Sequence, residues 1–323
     1  MATKKYDVII VGAGVGGMTA SIYTCRKKLK TLIISVDVGG QGNLTTHIEN
    51  YPGYTKETEG FPSGPKLMQV FEEQAKSFGA EFLLGKVAKV TKKKDHFSVE
   101  LTNGEKYESL SIILAYGKVP RELGVKGEKK FIGRGVATCA TCDAPIFRNK
   151  IVSVVGGGNS ALEAAVLLTD FAKKVYLIHR RDKFRGDEIM VEKIKKNKKI
   201  ELVMGSAISE VKGDKFISSI MVENRKTKEK REIEVSGVFV EIGYIIDPTP
   251  VKDLVKFNEL NEVIINEKCE TSCEGVMAAG DLSTVPYKQA VISAGAGAKA
   301  ALSVYNYIQK LKGNPEITSD WGK

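Results

Sequence analysis

Two glycine clusters, each set between an apolar run and a helix-forming run, constrain this chain more than any other feature. The first is Gly12-Ala13-Gly14-Val15-Gly16-Gly17, which follows the apolar stretch Tyr6–Val11. The second is Gly156-Gly157-Gly158-Asn159-Ser160-Ala161, which follows Ile151–Val155. Strand, glycine turn and helix in that order form a mononucleotide-binding unit. The first glycine permits the tight turn, the second lets backbone N–H groups approach a pyrophosphate, and the third position lets helix and strand pack closely. Gly12, Gly14 and Gly17 fill these places in the first copy; Gly156, Gly158 and Ala161 fill them in the second. A βαβ unit that occurs twice predicts an α/β chain with two Rossmann-like nucleotide-binding domains, each a parallel sheet in three layers.

The two copies differ in the residues just after their second strands. After Thr31–Ser35 comes Asp37, about 20 residues beyond the first turn, where a carboxylate can bond ribose hydroxyls. After Lys174–Ile178 comes His179-Arg180-Arg181-Asp182-Lys183-Phe184-Arg185. The ribose-binding acid is replaced there by guanidinium groups, which suit a 2′-phosphate and hence NADPH. His179, Arg180, Arg181 and Arg185 are therefore read as nucleotide-binding, with Asn159 and Ser160 at the turn itself.

Just upstream of the second turn stands Cys139-Ala140-Thr141-Cys142-Asp143. A CxxC pair can close a small disulfide ring and store two electrons. Asp143, where partly buried, could hold a proton for a leaving thiolate. Half of a zinc site is the competing reading. It needs two further ligands, and Cys269 with Cys273 is the only other close pair. Cys25, Cys269 and Cys273 are read as packing residues, and the three scattered histidines suggest no metal site.

Composition narrows the class. At 323 residues, two domains are expected. Five cysteines do not make a disulfide scaffold, which favours a cytoplasmic enzyme with one special pair. No run approaches the roughly 20 apolar residues of a membrane span. The N-terminal apolar stretch, interrupted by Asp7, reads as a buried strand and not a signal peptide. The net charge of +10 is spread along the chain. Lys92-Lys93-Lys94 and Lys195-Lys196-Asn197-Lys198-Lys199 read as solvated surface, with no aromatic or base-reading motif to support nucleic-acid binding. Attraction to an acidic protein partner is compatible with this charge.

Further elements are expected as helices at Lys66–Phe78, Leu162–Phe171 and from Gln289 to about Tyr307. Strands are expected at Phe82–Thr91, His96–Leu101 and Ser111–Leu114. Thr102-Asn103-Gly104-Glu105 is a hairpin turn signal. Gly280-Asp281 ends a late strand, and Gly295 and Gly297 suggest close backbone packing of the last helix. The tail from Gly313 is expected to be mobile.

Taken together, these residues resemble the low-molecular-weight thioredoxin reductases of the class II pyridine nucleotide-disulfide oxidoreductases. The likeness spans nearly the whole chain. It rests on the first glycine motif, Gly39-Gly40-Gln41, Glu49-Asn50-Tyr51-Pro52-Gly53, CATCD, GGGNSA, HRRDKFR and Gly280-Asp281 followed by Gln289-Ala290. The resemblance implies an FAD domain from both chain ends (residues 1–117 and 245–323) with an NADPH domain carrying the CxxC inserted at 118–244. It implies FAD contacts from Gly12, Gly14, Gly17, Asp37, Gly40, Gln41, Asn50, Gly280, Asp281, Lys288, Gln289 and Ala290. It implies a homodimer, and domain rotation about the two crossings. Electrons would pass from NADPH through FAD and Cys139–Cys142 to thioredoxin or a glutaredoxin-like protein. Three positions depart from the pattern. Gly42-Asn43 looks inserted, Tyr116 stands where Thr is frequent, and Lys288 stands where Arg is usual. The alternatives are a flavin-dependent dithiol oxidase, disfavoured by the intact HRRxxxR, and a non-catalytic flavin-binding redox sensor, disfavoured by the complete dithiol.

Overall fold

The computed structural model describes residues 4–44, 48, 50–54, 62–138 and 140–315, without the side chains of Leu44, Thr141 and Cys142. Glu49, Cys139 and the tail from residue 316 lie outside the described residues. The chain divides into two compact units, Met1–Lys118 with Ile246–Lys323, and Val119–Ile245.

The first unit opens with β1 (Lys4–Ala13), α1 (Val15–Arg26) and β2 (Thr31–Val38). Then come α2 (Gly64–Ser77), β3 (Glu81–Leu84), β4 (Val87–Lys92), β5 (Phe97–Leu101) and β6 (Lys106–Leu114). Helix α1 starts at Val15 directly out of the glycine turn, with Gly14 as its N-cap. Ser63 caps α2 by accepting the Lys66 N–H at 3.3 Å, and Leu67, Met68, Phe71 and Ala75 form its buried face. The single strand expected over 82–91 is two. β3 runs parallel beside β2, whereas β4 pairs antiparallel with β5 on the opposite side of the sheet, whose order is β3-β2-β1-β6-β5-β4. The chain must leave one edge for the other at Gly85-Lys86. The expected hairpin turn joins β5 to β6, with Gly104 at φ +87°.

The second unit begins with β7 (Val119–Pro120), α3 (Glu128–Phe131), β8 (Val136–Ala137) and α4 (Ala140–Asp143). It continues with β9 (Ile151–Gly156), α5 (Asn159–Leu168), β10 (Lys174–His179), α6 (Glu188–Lys196) and β11 (Ile200–Met204). Strands β12 (Ser206–Gly213), β13 (Ile217–Asn224) and β14 (Lys230–Glu234) form an antiparallel meander, and β15 (Gly237–Glu241) and β16 (Tyr244–Ile245) close the unit. The main sheet is parallel, in the order β11-β10-β9-β15-β8. The two crossing segments, β7 and β16, pair antiparallel with each other. Buried Glu128 accepts the Leu123 and Gly124 N–H groups, each at 2.7 Å, which fixes the loop after β7.

The chain then returns to the first unit with β17 (Val276–Ala278) and α7 (Ala290–Leu311). β17 lies parallel beside the end of β6. Alternate residues of β1 feed two cores. Ile9 and Val11 join Ile112, Leu114, Val263 and Leu282 on one face. Val8 and Ile10 join Ile33, Ile113 and the small residues of α1 and α7 on the other. Gly297 is required for the α1–α7 contact, since a Cβ there would lie 2.2 Å from the Gly16 carbonyl oxygen; Gly295 has no such neighbour.

Candidate functional site

In the first unit the glycine turn is built from close backbone approach. Gly12 has φ +110°, and a Cβ on it would fall 2.3 Å from the Ala115 carbonyl oxygen at the end of β6. A Cβ on Gly17 would fall 1.9 Å from the Gly12 oxygen, so helix α1 can sit on β1 only without one. Gly14 differs: a Cβ there meets nothing within 4 Å, and as N-cap it supplies no side-chain bond to the first helical turn. Four N–H groups at a helix start need partners. Here they point across a glycine with space before it, which fits a dinucleotide diphosphate.

The expected flavin residues of this unit fall into three groups. Asp37, near the end of β2, accepts the Gly40 N–H at 3.0 Å and so organises the Gly40–Leu44 turn that carries Gln41. The apparent insertion Gly42-Asn43 is part of that turn. Asn43 packs over Gly39 and donates to the Val38 carbonyl at 2.7 Å, while Gly42 leaves room for the Met68 sulfur. Asn50 donates to the Gln289 side chain at 3.1 Å, joining two segments far apart in sequence just before Ala290 opens α7. Asp281 follows Gly280 (φ +80°), and Lys118 lies 3.7 Å from its carboxylate. Lys288 is engaged with protein groups, donating to the Ser283 carbonyl at 2.5 Å and pairing with Glu262 at 2.8 Å. Tyr116 buries a hydroxyl with no hydrogen-bond partner among the described residues, and burial together with the Asp247 charge pushes its phenol well up.

The second turn uses the same backbone device with different backing. A Cβ on Gly156 would lie 2.2 Å from the Glu241 carbonyl oxygen and 2.5 Å from the Ala161 methyl. A Cβ on Gly158, the N-cap of α5, meets nothing within 4 Å, and α5 also lacks a side-chain cap. Gly157 is filled from below by the His179 ring, whose Cε1 would lie 2.2 Å from an added Cβ.

His179 is therefore a buttress under the turn and not an exposed ligand. It is 5% exposed, stacks on Phe184 at 5.5 Å, and has Nε2 3.1 Å from the Lys183 carbonyl oxygen. Burial lowers its pKa first, and the charges of Arg185, Arg181 and Arg180 lower it further. All three arginines are exposed around it. Arg185 donates its N–H to the Gly157 carbonyl at 2.7 Å, bringing the end of the basic run back to the glycine turn. Asp182, the acid within the run, pairs with Lys226 at 2.7 Å. Ser160 is exposed in the first turn of α5. Asn159 is committed to Asp187, accepting its N–H at 2.7 Å and donating to its carboxylate at 3.0 Å. The sequence does not announce this clamp; an Asn opening one helix and an Asp capping the next are its only trace.

Ala140–Asp143, within the CATCD segment, form α4. Ala140 and Ala144 are buried with Phe147, Ala161, Leu162 and Phe239, so small side chains root the turn in the core of the second unit. Burial raises the Asp143 carboxyl, in keeping with a group that holds a proton. Among the described residues no group of three or more His, Cys, Asp or Glu could hold a metal ion.

Two dinucleotide turns with different second strands and one CxxC define a class: oxidoreductases that move electrons between a pyridine nucleotide, a flavin and a disulfide. The pyridine nucleotide-disulphide oxidoreductase family model matches residues 6–298, and the chain belongs to that family. It is similar to the thioredoxin reductase of Helicobacter pylori, 39% identical over 311 residues covering 94% of this chain and 99% of the relative. The Bacillus subtilis thioredoxin reductase is 38% identical, with 96% of each chain covered. Among solved structures, Lactococcus lactis thioredoxin reductase matches with a TM-score of 0.81 at 36% identity, covering 94% of this chain and 99% of that one. A ferredoxin-flavin thioredoxin reductase from Clostridium acetobutylicum matches at 0.54 and 31% identity, covering 97% of this chain and 100% of that one. The protein is a flavoprotein oxidoreductase that uses FAD and NADPH.

Proposed function

We propose that this protein is an NADPH-dependent thioredoxin-disulfide reductase. When bound, FAD would supply the two-electron chemistry that links NADPH to a protein disulfide. The chain's own residues supply position and proton control. Gly12, Gly14 and Gly17 seat the flavin diphosphate at the start of α1, and Asp37 orders the turn beside it. Gly156, Gly158 and the exposed Arg180, Arg181 and Arg185 seat NADPH. Cys139 and Cys142 form the redox pair, and Asp143 holds the proton taken up as a thiolate leaves. The observation that carries this reading is the shared footing of the dithiol and the basic nucleotide turn. Ala140, which stands between the two cysteines in the sequence, is buried in the same hydrophobic core as α5, whose N-terminus opens the second glycine turn. The reduced dithiol passes its electrons on by exchange: one thiolate attacks the partner disulfide and expels one partner thiolate, and the second attacks the mixed disulfide, re-forming Cys139–Cys142 and releasing the partner as a dithiol.

The experiment is stopped-flow reduction followed by turnover with thioredoxins from the same genome. Cys139→Ser and Cys142→Ser are expected to lose thioredoxin reduction while NADPH still bleaches the flavin. A variant that turns over thioredoxin normally defeats the assignment. Flavin that ignores NADPH but is reduced by ferredoxin would move the donor assignment toward the kind of enzyme named for Clostridium acetobutylicum. No helix among the described residues is long and apolar enough to cross a membrane. The proposal extends to a cytoplasmic homodimer, for which sedimentation at working concentration is the measurement.

A further inference from the structure

Asp182 is the one acid in the run from His179 to Arg185 and stands three residues beyond the end of β10. A carboxylate soon after the second strand of a dinucleotide unit can accept the ribose 2′-hydroxyl of NADH, and it repels the 2′-phosphate of NADPH. The fold disposes of this charge. Oδ1 lies against Gly205, 3.3 Å from where a Cβ would stand there. Oδ2 is 2.7 Å from the ammonium of Lys226, in the β13–β14 hairpin, 44 positions away in the chain. Backbone bonds fix that hairpin to the basic run. Gly205, between β11 and β12 with φ +60°, donates its N–H to the Arg181 carbonyl at 3.2 Å and accepts the Arg225 N–H at 2.8 Å. The Asn224 side chain accepts the N–H groups of Lys226 at 2.9 Å and Thr227 at 3.1 Å, so the turn that carries Lys226 is itself tied. As a stability device the pair is weak. The Lys226 and Asp182 side chains are 75% and 64% exposed, and exposed pairs contribute little.

We propose that Lys226 is a specificity-determining residue for the pyridine nucleotide: it occupies Asp182 and so keeps the run Arg180-Arg181-Asp182 selective for a 2′-phosphate. The inference rests on the reading of that run as the NADPH adenosine site. With Lys226 in place, Asp182 adds no uncompensated negative charge beside Arg180 and Arg181. Without it, the carboxylate competes with the phosphate for those guanidinium groups and is released to accept a ribose hydroxyl, as in an NADH site. Lys226 acts through Asp182 and is a positioning residue. Its signature is therefore a change in discrimination between two nucleotides, not a change in the binding of both.

The test is isothermal titration calorimetry of the oxidised, FAD-loaded protein with NADP+ and with NAD+, at about 50 mM salt, where exposed charges are weakly screened. Lys226→Gln is expected to weaken NADP+ binding by about three- to fivefold, the scale of one exposed charge pair, while NAD+ binds no more weakly than to wild type. Asp182→Asn placed in the Lys226→Gln protein is expected to restore NADP+ affinity. Lys226→Arg is expected to keep it, since a guanidinium can hold the same carboxylate. Equal weakening of both nucleotides marks a merely structural role and overturns the proposal. So does an unchanged NADP+ affinity, or a loss that Asp182→Asn does not relieve. A wild type with no preference for NADP+ defeats the NADPH site itself, and the proposal with it. A wild type that prefers NADP+, with Lys226→Gln discriminating equally well, defeats the proposal alone.

Discussion

The two glycine turns share one backbone plan and differ in what stands behind them. The first turn is backed by main chain, at Ala115 and Tyr116, and followed by a carboxylate that bonds the next loop through Gly40. The second is backed at Gly156 by the Glu241 main-chain carbonyl and, beneath Gly157, by the His179 ring, and is followed by three exposed arginines. Glycine spacing specifies that a diphosphate can be approached. The residues after the second strand specify which nucleotide arrives, because only they reach the adenosine ribose.

The largest effect expected from that contrast is on nucleotide choice. Replacing Arg180 and Arg181 by Gln should cut kcat/KM for NADPH by about tenfold to a hundredfold, since charge-assisted bonds contribute about 1.5–3 kcal/mol each. NADH should be nearly unaffected. A wild type that prefers NADH would break the comparison at its root.

Next comes the backing. Gly157→Ala drives a methyl into His179 and should cost about 1–3 kcal/mol by overpacking, read as a lower midpoint in urea. Gly14→Ala meets no atom and should stay within about 0.5 kcal/mol of wild type, while weakening FAD retention on gel filtration. Equal destabilisation by both would show that the second turn is not held from below.

A smaller effect separates the polar groups beside each turn. The folded Glu241 carboxyl is raised from the ordinary 4.5 to about 7, so the native state holds the extra proton. Its contribution is full below about pH 4.5 and is lost as pH rises through about 7. Relative to Glu241→Gln, wild type should lose about 1–2 kcal/mol across that window, after discounting for partial exposure. Denaturant melts at pH 4.5 and 8 measure it, and a difference of opposite sign would mean the carboxyl is held ionised.

The smallest effect belongs to the first turn. Tyr116→Phe removes a buried hydroxyl without a partner and should leave stability unchanged or raise it by about 1 kcal/mol. A marked loss would reveal a bond made by that hydroxyl in solution.

Much of this is legible in the sequence because glycines at fixed spacing have few structural meanings. The turns, the flanking strands and the basic run are all readable from residue order alone. Three things are not. The β12–β14 meander is rich in lysine and glutamate, and two register shifts between β12 and β13 blur its alternation. The β3–β4 break is set by strand order, which no local pattern encodes. Glu241 and the Asn159–Asp187 clamp act across long sequence separations, so no motif brackets them. His179 shows the converse difficulty. Its place in the basic run suggests contact with the nucleotide, yet an imidazole that fills the hollow of Gly157 is spent on packing.

That hollow has a consequence for anyone wishing to retune the enzyme's diet of coenzyme. The run HRRDKFR carries two kinds of residue interleaved along one stretch. His179 and Phe184 are masonry, joined to Gly157 by stacking and contact. Arg180, Arg181 and Arg185 are signage on the outer wall. A redesign toward NADH can repaint the signs one at a time, whereas transplanting the whole run from a relative with a different residue at 179 would require changing position 157 as well. Gly157 and His179 fit together as a couple, 22 positions apart in the chain.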